Sequence, residues 1–487
     1  MDVLNANSPE QQLFARFGLT YSQVEQVLAI AGQGLAGFGF GELFFEQGVT
    51  EVVTLDHGVI RGIDFFEVNG CGIRVVVGER TGFRSTADTT FATLCTMARE
   101  AREAALFGSG TLPPVSYSKP QSKQHDLYSS AGGLMNVGLA QKIKLCRDTD
   151  AVARSVNPAA IINCTVSAIV EEQAVIIANT LGQLVYDLRP MVRFNVHTLA
   201  EQNGRREMGY AAGGGRRSFD SFYQDDAWSK MADRASRQAL AKMEAVDAPT
   251  GEMTIVMGPG WPAVIIHEAV GHPLEGDANL TGGSAFARLI GQRVASSECT
   301  IVDDGTLAER RGSLNVDDEG RPTGCTTLIE KGILKQYMQD SRCAALMGAA
   351  PTGNGRRQSY AYAPIPRMTN TRLLNGPHSP GDIIASVEDG IYTSDFSGGM
   401  VNSATGSFTF SASVAHRIRG GKLAEMVRGV TLIGNGARAL LDVEMVGNDG
   451  ELDAGIAICG KDGQSVPVGV GQPTLKIRNV TVGGTSN

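Results

Sequence analysis

The residues best suited to chemistry stand in one short run, His267-Glu268-Ala269-Val270-Gly271-His272. The chain has only seven histidines, and no other two of them stand so close together. Two imidazoles can hold Zn²⁺, and a neighbouring carboxylate can take a proton from the water that the metal activates. The run therefore predicts a hydrolytic metal site with His267 and His272 as ligands and Glu268 as general base.

The spacing of the two histidines differs from that of the common zinc-protease motif H-E-x-x-H. That motif places its ligands at i and i+4, on one face of an α-helix. At i and i+5, an ideal α-helix turns the second ring about 140° away from the first. Gly271 tolerates unusual dihedral angles, and Pro273 disfavours the helical region for His272. We therefore expect His267 on a helix and His272 at or just past its end, turned back toward the metal; the alternative is a helix end with two ordinary histidines.

A third ligand must come from elsewhere in the chain, and the residues alone leave several candidates. Cys459 stands among glycines at a predicted strand end, where a thiolate can reach a metal. A lone cysteine is more often a plain core residue. The other candidates are His378, His416, Glu275 and Asp277. Either of these two carboxylates could instead orient an imidazole through a hydrogen bond, or lie on the surface.

Composition excludes several classes of protein. The 487-residue chain has a net charge of −8 and no long Lys/Arg run, which argues against nucleic-acid binding as its main role. It contains no run of 18 apolar residues, and its first residues lack the pattern of a signal peptide. Its eight cysteines are scattered without C-x-x-C, as is typical of a reducing compartment. We therefore expect a cytoplasmic protein without nucleic-acid or membrane partners.

The pattern of secondary-structure signals divides the chain into an N-terminal domain, 1–225, and a C-terminal domain, 226–487. For the first we expect an α+β fold, an antiparallel sheet with covering helices. Its predicted helices are 20–31, 88–107 and 137–156, and its predicted strands are 49–55, 60–68, 73–77, 161–170, 174–180 and 183–197. Asp56-His57-Gly58 and Asn69-Gly70 are turn sequences that predict hairpins, and residues 112–122 predict a loop.

Residues 201–226, with their glycines and arginines, predict an interdomain linker, or else a mobile basic flap over an extended substrate. The C-terminal domain is then predicted to be a mostly β barrel or sandwich whose short helices carry the metal site. Its signals are a helix over 226–245, strands at 252–257, 407–416 and 475–482, and turns at 318–320 and 330–332.

Residues 267–277 resemble the signature of the TldD/TldE (PmbA) family, and specifically of its TldD branch. The further segments that fit, in order along nearly the whole chain, are 74–77, 80–83, 367–371, 406–408, 431–436 and 459–464. The resemblance implies a zinc metalloprotease in which His267, His272 and Cys459 bind Zn²⁺ and Glu268 is the catalytic base. It also implies a TldE-type partner subunit without the motif, and unfolded peptides such as antibiotic precursors or a labile antitoxin as substrates.

Chemistry and resemblance together predict a zinc-dependent metalloprotease that hydrolyses unfolded or extended peptides. A substrate bound as an extended strand at a sheet edge would explain cleavage with little sequence preference. The residue that stabilises the oxyanion stays open among Tyr360, Tyr362 and His416. The alternatives are a non-catalytic peptide-binding or scaffold subunit of a TldD/TldE-type complex, and an amidase with a small substrate. Whether the chain forms a heterodimer with a TldE/PmbA-like subunit or a homodimer is also open.

Overall fold

The computed structural model describes residues 14–35, 39–107, 125–128, 137–402 and 405–484. The predicted loop at 112–122 and residues 1–13 lie outside these ranges. The fold is α+β, as predicted, with antiparallel strands and helices in the N-terminal half and a mostly β C-terminal half. The domain boundary at 225/226 stays a prediction. Among the described residues, no helix combines the length and the apolar composition needed to cross a membrane.

The N-terminal half contains a six-stranded antiparallel sheet. Its strands are β1 (Gly39–Asp56), β2 (Val59–Val77), β3 (Arg80–Thr86), β4 (Ile161–Asn179), β5 (Gln183–Gln202) and β6 (Arg205–Gly215). They lie side by side in the order β3-β2-β1-β4-β5-β6. One face is covered by α1 (Tyr21–Gly32), α2 (Phe91–Leu106), α3 (Leu139–Ser155) and α4 (Ala227–Met243).

Two predicted interruptions of this sheet are wrong. Asn69-Gly70 is not a turn but lies inside β2, opposite Gln47 and Glu46 of β1, and β4 likewise runs without a break through residues 171–173. A Cβ at Gly70 would lie 2.4 Å from the ring of Tyr360. The glycine is therefore needed for close packing between the two halves, and its local sequence resembles a turn only by composition.

The segment 201–226 is neither a linker nor a flap. It contains the end of β5, the edge strand β6 and two short 3₁₀ helices, Phe219–Phe222 and Gln224–Asp226. Phe219 and Phe222 are fully buried in the core beneath the sheet. The backbone N–H of Gly214 donates to Ala454 O at 2.9 Å, and a Cβ at Gly214 would lie 2.8 Å from Gly455 O. The glycine run lets β6 lie directly against the C-terminal half.

The C-terminal half consists of short strands and helices. Its strands are β7 (Val246–Asp247), β8 (Gly251–Met257), β9 (Ile301–Asp304), β10 (Cys325–Glu330), β11 (Ile333–Leu334), β12 (Gly355–Arg356), β13 (Ile365–Pro366), β14 (Asn370–Leu373), β15 (Asp389–Val401), β16 (Ser407–Arg419), β17 (Lys422–Arg428), β18 (Thr431–Asn435), β19 (Val443–Val446), β20 (Glu451–Leu452), β21 (Ile458–Lys461), β22 (Gln464–Pro467), β23 (Gly469–Gln472) and β24 (Leu475–Gly483). Its helices are α5 (Val264–Ile266), α6 (Gly276–Leu280), α7 (Ser341–Met347), α8 (Pro380–Ala385) and α9 (Gly436–Leu441).

Five of these strands close into a barrel in the order β15-β8-β24-β18-β16, because β16 pairs back onto β15. A second, six-stranded sheet has the order β11-β10-β9-β14-β23-β20. The predicted barrel is thus confirmed, as is the turn at residues 330–332, which joins β10 to β11. The largest buried cluster fills the space between barrel and sheet, and it includes Cys459 and five residues of the motif segment: Ile265, Ile266, Ala269, Val270 and Leu274.

Buried ion pairs join the two halves. Arg74 of β2 contacts Glu42 of β1 at 2.9 Å and Glu319 at 2.6 Å, and all three side chains are at most 2% exposed. Arg189 of β5 contacts Asp318 at 2.6 Å. Removing one partner of such a buried pair leaves an uncompensated charge, at a cost of about 3–5 kcal/mol. The turn at residues 318–320 is therefore an anchor that holds the C-terminal half against the N-terminal sheet.

Candidate metal centre

The motif residues lie on one helical segment, 261–274, whose pitch changes along its length. It begins as a 3₁₀ turn (Trp261–Ala263), continues through α5 and widens into a π-helical turn over His267–Gly271. The N–H of His272 donates to the carbonyl of His267, which is the i→i+5 hydrogen bond of a π-helix. Because the hydrogen bond of this turn spans five residues, the two histidines lie one turn apart, one above the other.

His272 lies at the end of the π-helical turn, in line with the expectation that it stands at or just past the helix end, but its backbone stays helical. Its φ of −57° and ψ of −46° are helical, and its ring lies 5.1 Å from that of His267, with the ring planes 82° apart. Pro273 does not end the helix before His272, because it occupies the first turn of the following 3₁₀ helix (His272–Leu274), where its missing N–H costs nothing. The extra residue in the motif is accommodated by widening the helix.

Close packing explains the glycine of the motif. Gly271 has a helical φ of −57°, so it is not needed for an unusual backbone angle. A Cβ at this position would lie 1.9 Å from Sδ of Met368, a fully buried side chain. Gly436, at the start of α9, likewise lies where a Cβ would come within 2.5 Å of Cβ of Ala269. The π-helical turn is therefore enclosed on two sides by tightly packed neighbours.

Cys459 completes a group of three possible metal ligands. One ligand atom each from His267, His272 and Cys459 lie within 4.8 Å of one another, and Sγ of Cys459 is 3.2 Å from Nε2 of His272. The cysteine lies on β21, which pairs with β22 in a hairpin. Arg367 fixes this strand, since its guanidinium donates to the Cys459 carbonyl at 2.6 Å. His267 and Cys459 are each only 3% exposed.

The three side chains fit Zn²⁺. Imidazole nitrogen and thiolate sulfur are usual zinc ligands, and a site with three protein ligands keeps a fourth position open. Nδ1 of His267 is buried and has no hydrogen-bond partner in the part of the chain that the structure describes. Burial by itself would raise the pKa of the Cys459 thiol, but the neighbouring imidazoles of His267 and His272 hold it at about 5. The thiolate, which is the form that binds metals, is thus favoured at neutral pH.

Glu275 is the carboxylate that contacts an imidazole. Its Oε2 lies 3.0 Å from Nδ1 of His272 and 3.0 Å from Nζ of Lys461, and Oε1 lies 3.7 Å from Arg367. Burial alone would raise the pKa of Glu275, but the charges of His272, Lys461 and Arg367 hold it at about 2. A charged Glu275 therefore orients His272 so that Nε2 is directed at the ligand group. Asp277 instead contacts Lys461, at 2.7 Å.

Glu268 lies beside the ligand group on its more accessible side. Its Oε2 is 4.0 Å from Nε2 of His272, and its side chain is 22% exposed, compared with 11% for the His272 side chain. The carboxylate is thus close enough to the ligand group for one water molecule to bridge the two, and it is open to an incoming substrate.

The other candidates have different surroundings. Nε2 of His378 lies 3.8 Å from Glu298, and His416 lies on β16 opposite Tyr392 and Met426. Neither histidine belongs to the ligand group found among the described residues. Tyr360 donates its backbone N–H to Glu46 at 2.6 Å. The carbonyl of Tyr362 accepts a hydrogen bond from Arg357. The oxyanion donor therefore stays a prediction without an assigned residue.

Sequence reasoning assigned no role to Arg367 and Lys461, although both stand in segments that carry the family resemblance. Arg367 fixes the strand of the cysteine, and Lys461 neutralises Glu275 and Asp277. Their position in those segments was a signal, but spacing along the chain could not show which atoms they contact.

Comparison with known proteins finds relatives along most of the chain. Models of the PmbA/TldA metallopeptidase family match as domain 1 (residues 41–105), central domain (134–243) and C-terminal domain (250–484). The "Metalloprotease TldD homolog" of Haemophilus influenzae is 44% identical over 92% of this chain and 93% of its own length. The homologue of the same name from Buchnera aphidicola subsp. Schizaphis graminum is 41% identical over the same shares.

The fold is shared with a solved structure. TldE from Thermococcus kodakarensis superposes with a TM-score of 0.75 at 18% identity, covering 95% of this chain and all of that one. The family models and the relatives define a metallopeptidase. The chain belongs to the PmbA/TldA metallopeptidase family, and within it to the TldD type.

Proposed function

We propose that this chain is a zinc-dependent peptidase that hydrolyses unfolded or extended peptides, with Glu268 as general base. The observation that supports this best is the convergence of two imidazoles and a thiolate, with ligand atoms within 4.8 Å, beside the Glu268 carboxylate. Cys459 comes from a strand almost two hundred residues further along the chain, so a chance cluster of core residues is a poor explanation. Zn²⁺ is favoured over harder cations because sulfur and imidazole nitrogen are its usual ligands.

A Zn²⁺ bound here would lower the pKa of a water from 15.7 toward about 7 and polarise a peptide carbonyl. Glu268 accepts the proton of the attacking water and passes a proton to the leaving amine. Glu275 holds the His272 ring through Nδ1, and Arg367 holds Cys459 through its carbonyl, so the ligand geometry is set before substrate arrives.

The burial of the site supports unfolded or extended peptides as substrates. His267 and Cys459 are 3% exposed, so the reacting carbonyl has to enter below the molecular surface. A folded protein cannot present its backbone at such a depth, whereas an extended chain can. Pairing of that chain with a sheet edge would place its backbone without selecting particular side chains. We further propose that the chain acts as a dimer, with a TldE-type subunit or with a second copy of itself.

Metal removal tests this proposal. Protein stripped by a chelator should stop cleaving a fluorogenic unstructured peptide, and one equivalent of Zn²⁺ should restore cleavage, while a stable folded protein should stay intact throughout. Cys459→Ala should lose zinc and activity together. Cys325→Ala is the matched control, because Cys325 is an exposed thiol outside the ligand group. Peptide cleavage that persists in fully metal-free protein would refute the proposal.

A further inference from the structure

A cavity of about 630 Å³ lies between the N-terminal sheet with α4 on one side and the barrel on the other. We call it the β6 cavity. Its lining includes residues 208–212 of β6, Phe396 of β15 and residues 456–458, directly before Cys459. Its volume falls in the range of small-ligand sites, about 300–1,000 Å³. The proposed hydrolysis gives this cavity no role.

The β6 cavity carries an excess of positive charge. Arg193 of β5 and both Arg234 and Lys242 of α4 line it. Arg193 and Lys242 donate to neutral groups, the Asn195 side chain at 2.7 Å and the Met208 carbonyl at 2.8 Å. Within the described part of the chain, none of the three cations has a carboxylate oxygen within 4.0 Å. All three charges are therefore available to a ligand.

Asp395 of β15 is the only carboxylate among the lining residues, and it does not balance these charges. It accepts the backbone N–H of Phe396 at 2.9 Å and the side-chain amide of Gln238 at 3.4 Å. Burial raises the pKa of Asp395, although the charge of Arg234 opposes this. One acid that is already hydrogen-bonded faces three cations, so the cavity favours an anion. Guanidinium groups bind carboxylates with two parallel hydrogen bonds.

Much of the remaining lining is apolar. The indole Nε1 of Trp261 donates to the carbonyl of Phe396 at 3.0 Å, which holds these two rings in place. Met208 and Ile458 are 57% and 58% exposed, although both side chains are large and apolar. Exposed apolar side chains in a concave site are typical of ligand-binding surfaces. The lining therefore fits a carboxylate that is carried on an apolar body.

The β6 cavity and the metal centre lie on opposite faces of one strand. Ile458 and Cys459 are consecutive on β21, and side chains alternate across a strand. Ile458 lines the cavity, whereas Cys459 belongs to the metal-ligand group. Trp261 lines the cavity too, and it begins the helical segment that carries His267. A ligand in the cavity thus contacts both elements that supply metal ligands without touching the metal.

We propose that the β6 cavity binds a short apolar peptide through its free C-terminal carboxylate. This occupant rests on the proposed function, because hydrolysis of a peptide bond releases a fragment that ends in a new carboxylate. Water supplies the hydroxyl of that carboxyl group and the proton of the released amine, so no further reactant is needed. A fragment held in the β6 cavity leaves the metal centre free for the next substrate.

Fluorescence titration of the full chain with N-acetyl-phenylalanyl-leucine tests the proposal. The chain has two tryptophans, and Trp228 is not a lining residue, so Trp228→Phe leaves Trp261 as the only reporter. The emission should change and saturate with a dissociation constant of about 1 mM or below. The C-terminal amide of the same probe should bind roughly tenfold more weakly or worse. Calorimetry on the chain with both tryptophans should give the same affinity.

Two charge variants locate the carboxylate. Arg234→Gln and Lys242→Gln should each weaken binding roughly tenfold, because each removes a charged contact. Arg237→Gln is the matched control and should keep wild-type affinity. Arg237 lies on the same helix but outside the lining, where it pairs with Asp233 at 2.7 Å. Wild-type affinity in both cavity variants would overturn the proposal, as would equal binding of the amide or a titration that does not saturate.

An amidated probe that carries its carboxylate on a glutamate side chain separates a terminal from an internal carboxylate. Equal binding of that probe would overturn the terminal carboxylate as the recognised group.

Removal of zinc separates this proposal from the proposed function. Binding of the probe should persist in protein stripped by a chelator. Binding that requires zinc would place the carboxylate on the metal and would overturn the β6 cavity as its site. Peptide cleavage by metal-free protein would instead refute the proposed function, whatever the result of the titration.

Discussion

Replacing Glu275 by glutamine should weaken zinc binding while leaving the fold intact. Glu275 is a fully buried carboxylate whose Oε2 lies 3.0 Å from Nδ1 of His272. Its negative charge makes the hydrogen bond charge-assisted and increases the basicity of the ligand ring. Glutamine keeps the size and one acceptor oxygen but removes the charge.

The size of the effect follows from these contacts. Loss of a carboxylate partner of a metal-bound histidine costs 10- to 100-fold in metal affinity, or about 1.4–2.8 kcal/mol. The fold should survive because Lys461 keeps its contact with Asp277 at 2.7 Å and the buried Arg367 keeps its hydrogen bond to the Cys459 carbonyl at 2.6 Å, so each of these cations retains a polar partner. Asp277→Asn is the matched control, since it removes a carboxylate from the same lysine but touches neither histidine.

The assay is competition for zinc with a chelator of known affinity, accompanied by thermal unfolding. The dissociation constant should rise 10- to 100-fold in Glu275→Gln and stay within about threefold of the wild type in Asp277→Asn. Wild-type zinc affinity in a correctly folded Glu275→Gln protein would refute the idea that this carboxylate orients His272.

Two further changes test the packing and the electrostatics of the C-terminal half. Gly271→Ala should destabilise the protein by about 1–3 kcal/mol in chemical denaturation, because the added Cβ meets Met368. Gly460→Ala is the control and should be near neutral, because the space around Gly460 is open. Equal stability of the two variants would contradict this packing. Asp340 caps α7 by accepting the Cys343 N–H, and burial together with the charge of a neighbouring carboxylate raises its pKa. The folded state therefore favours protonated Asp340, and the stability that this proton gives is lost as pH rises above about 4. Asp340→Asn has no such proton to lose, so it should gain stability relative to wild type between about pH 4 and pH 7. A stability difference that does not change with pH would count against this.

The chemistry proposed for the site follows from the sequence because the residue types carry it. His267, Glu268 and His272 stand within one run of six residues, and the choice of Cys459 came from the family resemblance. The structure brings this cysteine to 3.2 Å from His272, whereas the residues alone left His378 and His416 equally open.

The backbone that presents the histidines could not be predicted. A helical pattern with a following proline favours an α-helix that ends early. The observed π-helical turn packs against Met368 and Gly436, which are contacts that only the tertiary structure provides. The strand β6 was missed for a similar reason, because its glycines pack against residues 454–455 and are not a sign of flexibility. Local composition cannot distinguish a glycine that bends the chain from one that lets two backbones meet.

The most direct test of the account is the zinc-loaded Glu268→Gln variant. Glutamine leaves His267, His272 and Cys459 in place, so the variant should bind one zinc per chain with wild-type affinity. Its rate of peptide hydrolysis should fall by about 10²–10⁴, the usual contribution of a general base. Hydrolysis at the wild-type rate by the zinc-loaded variant would contradict the assignment of Glu268 and, with it, the mechanism proposed for this site.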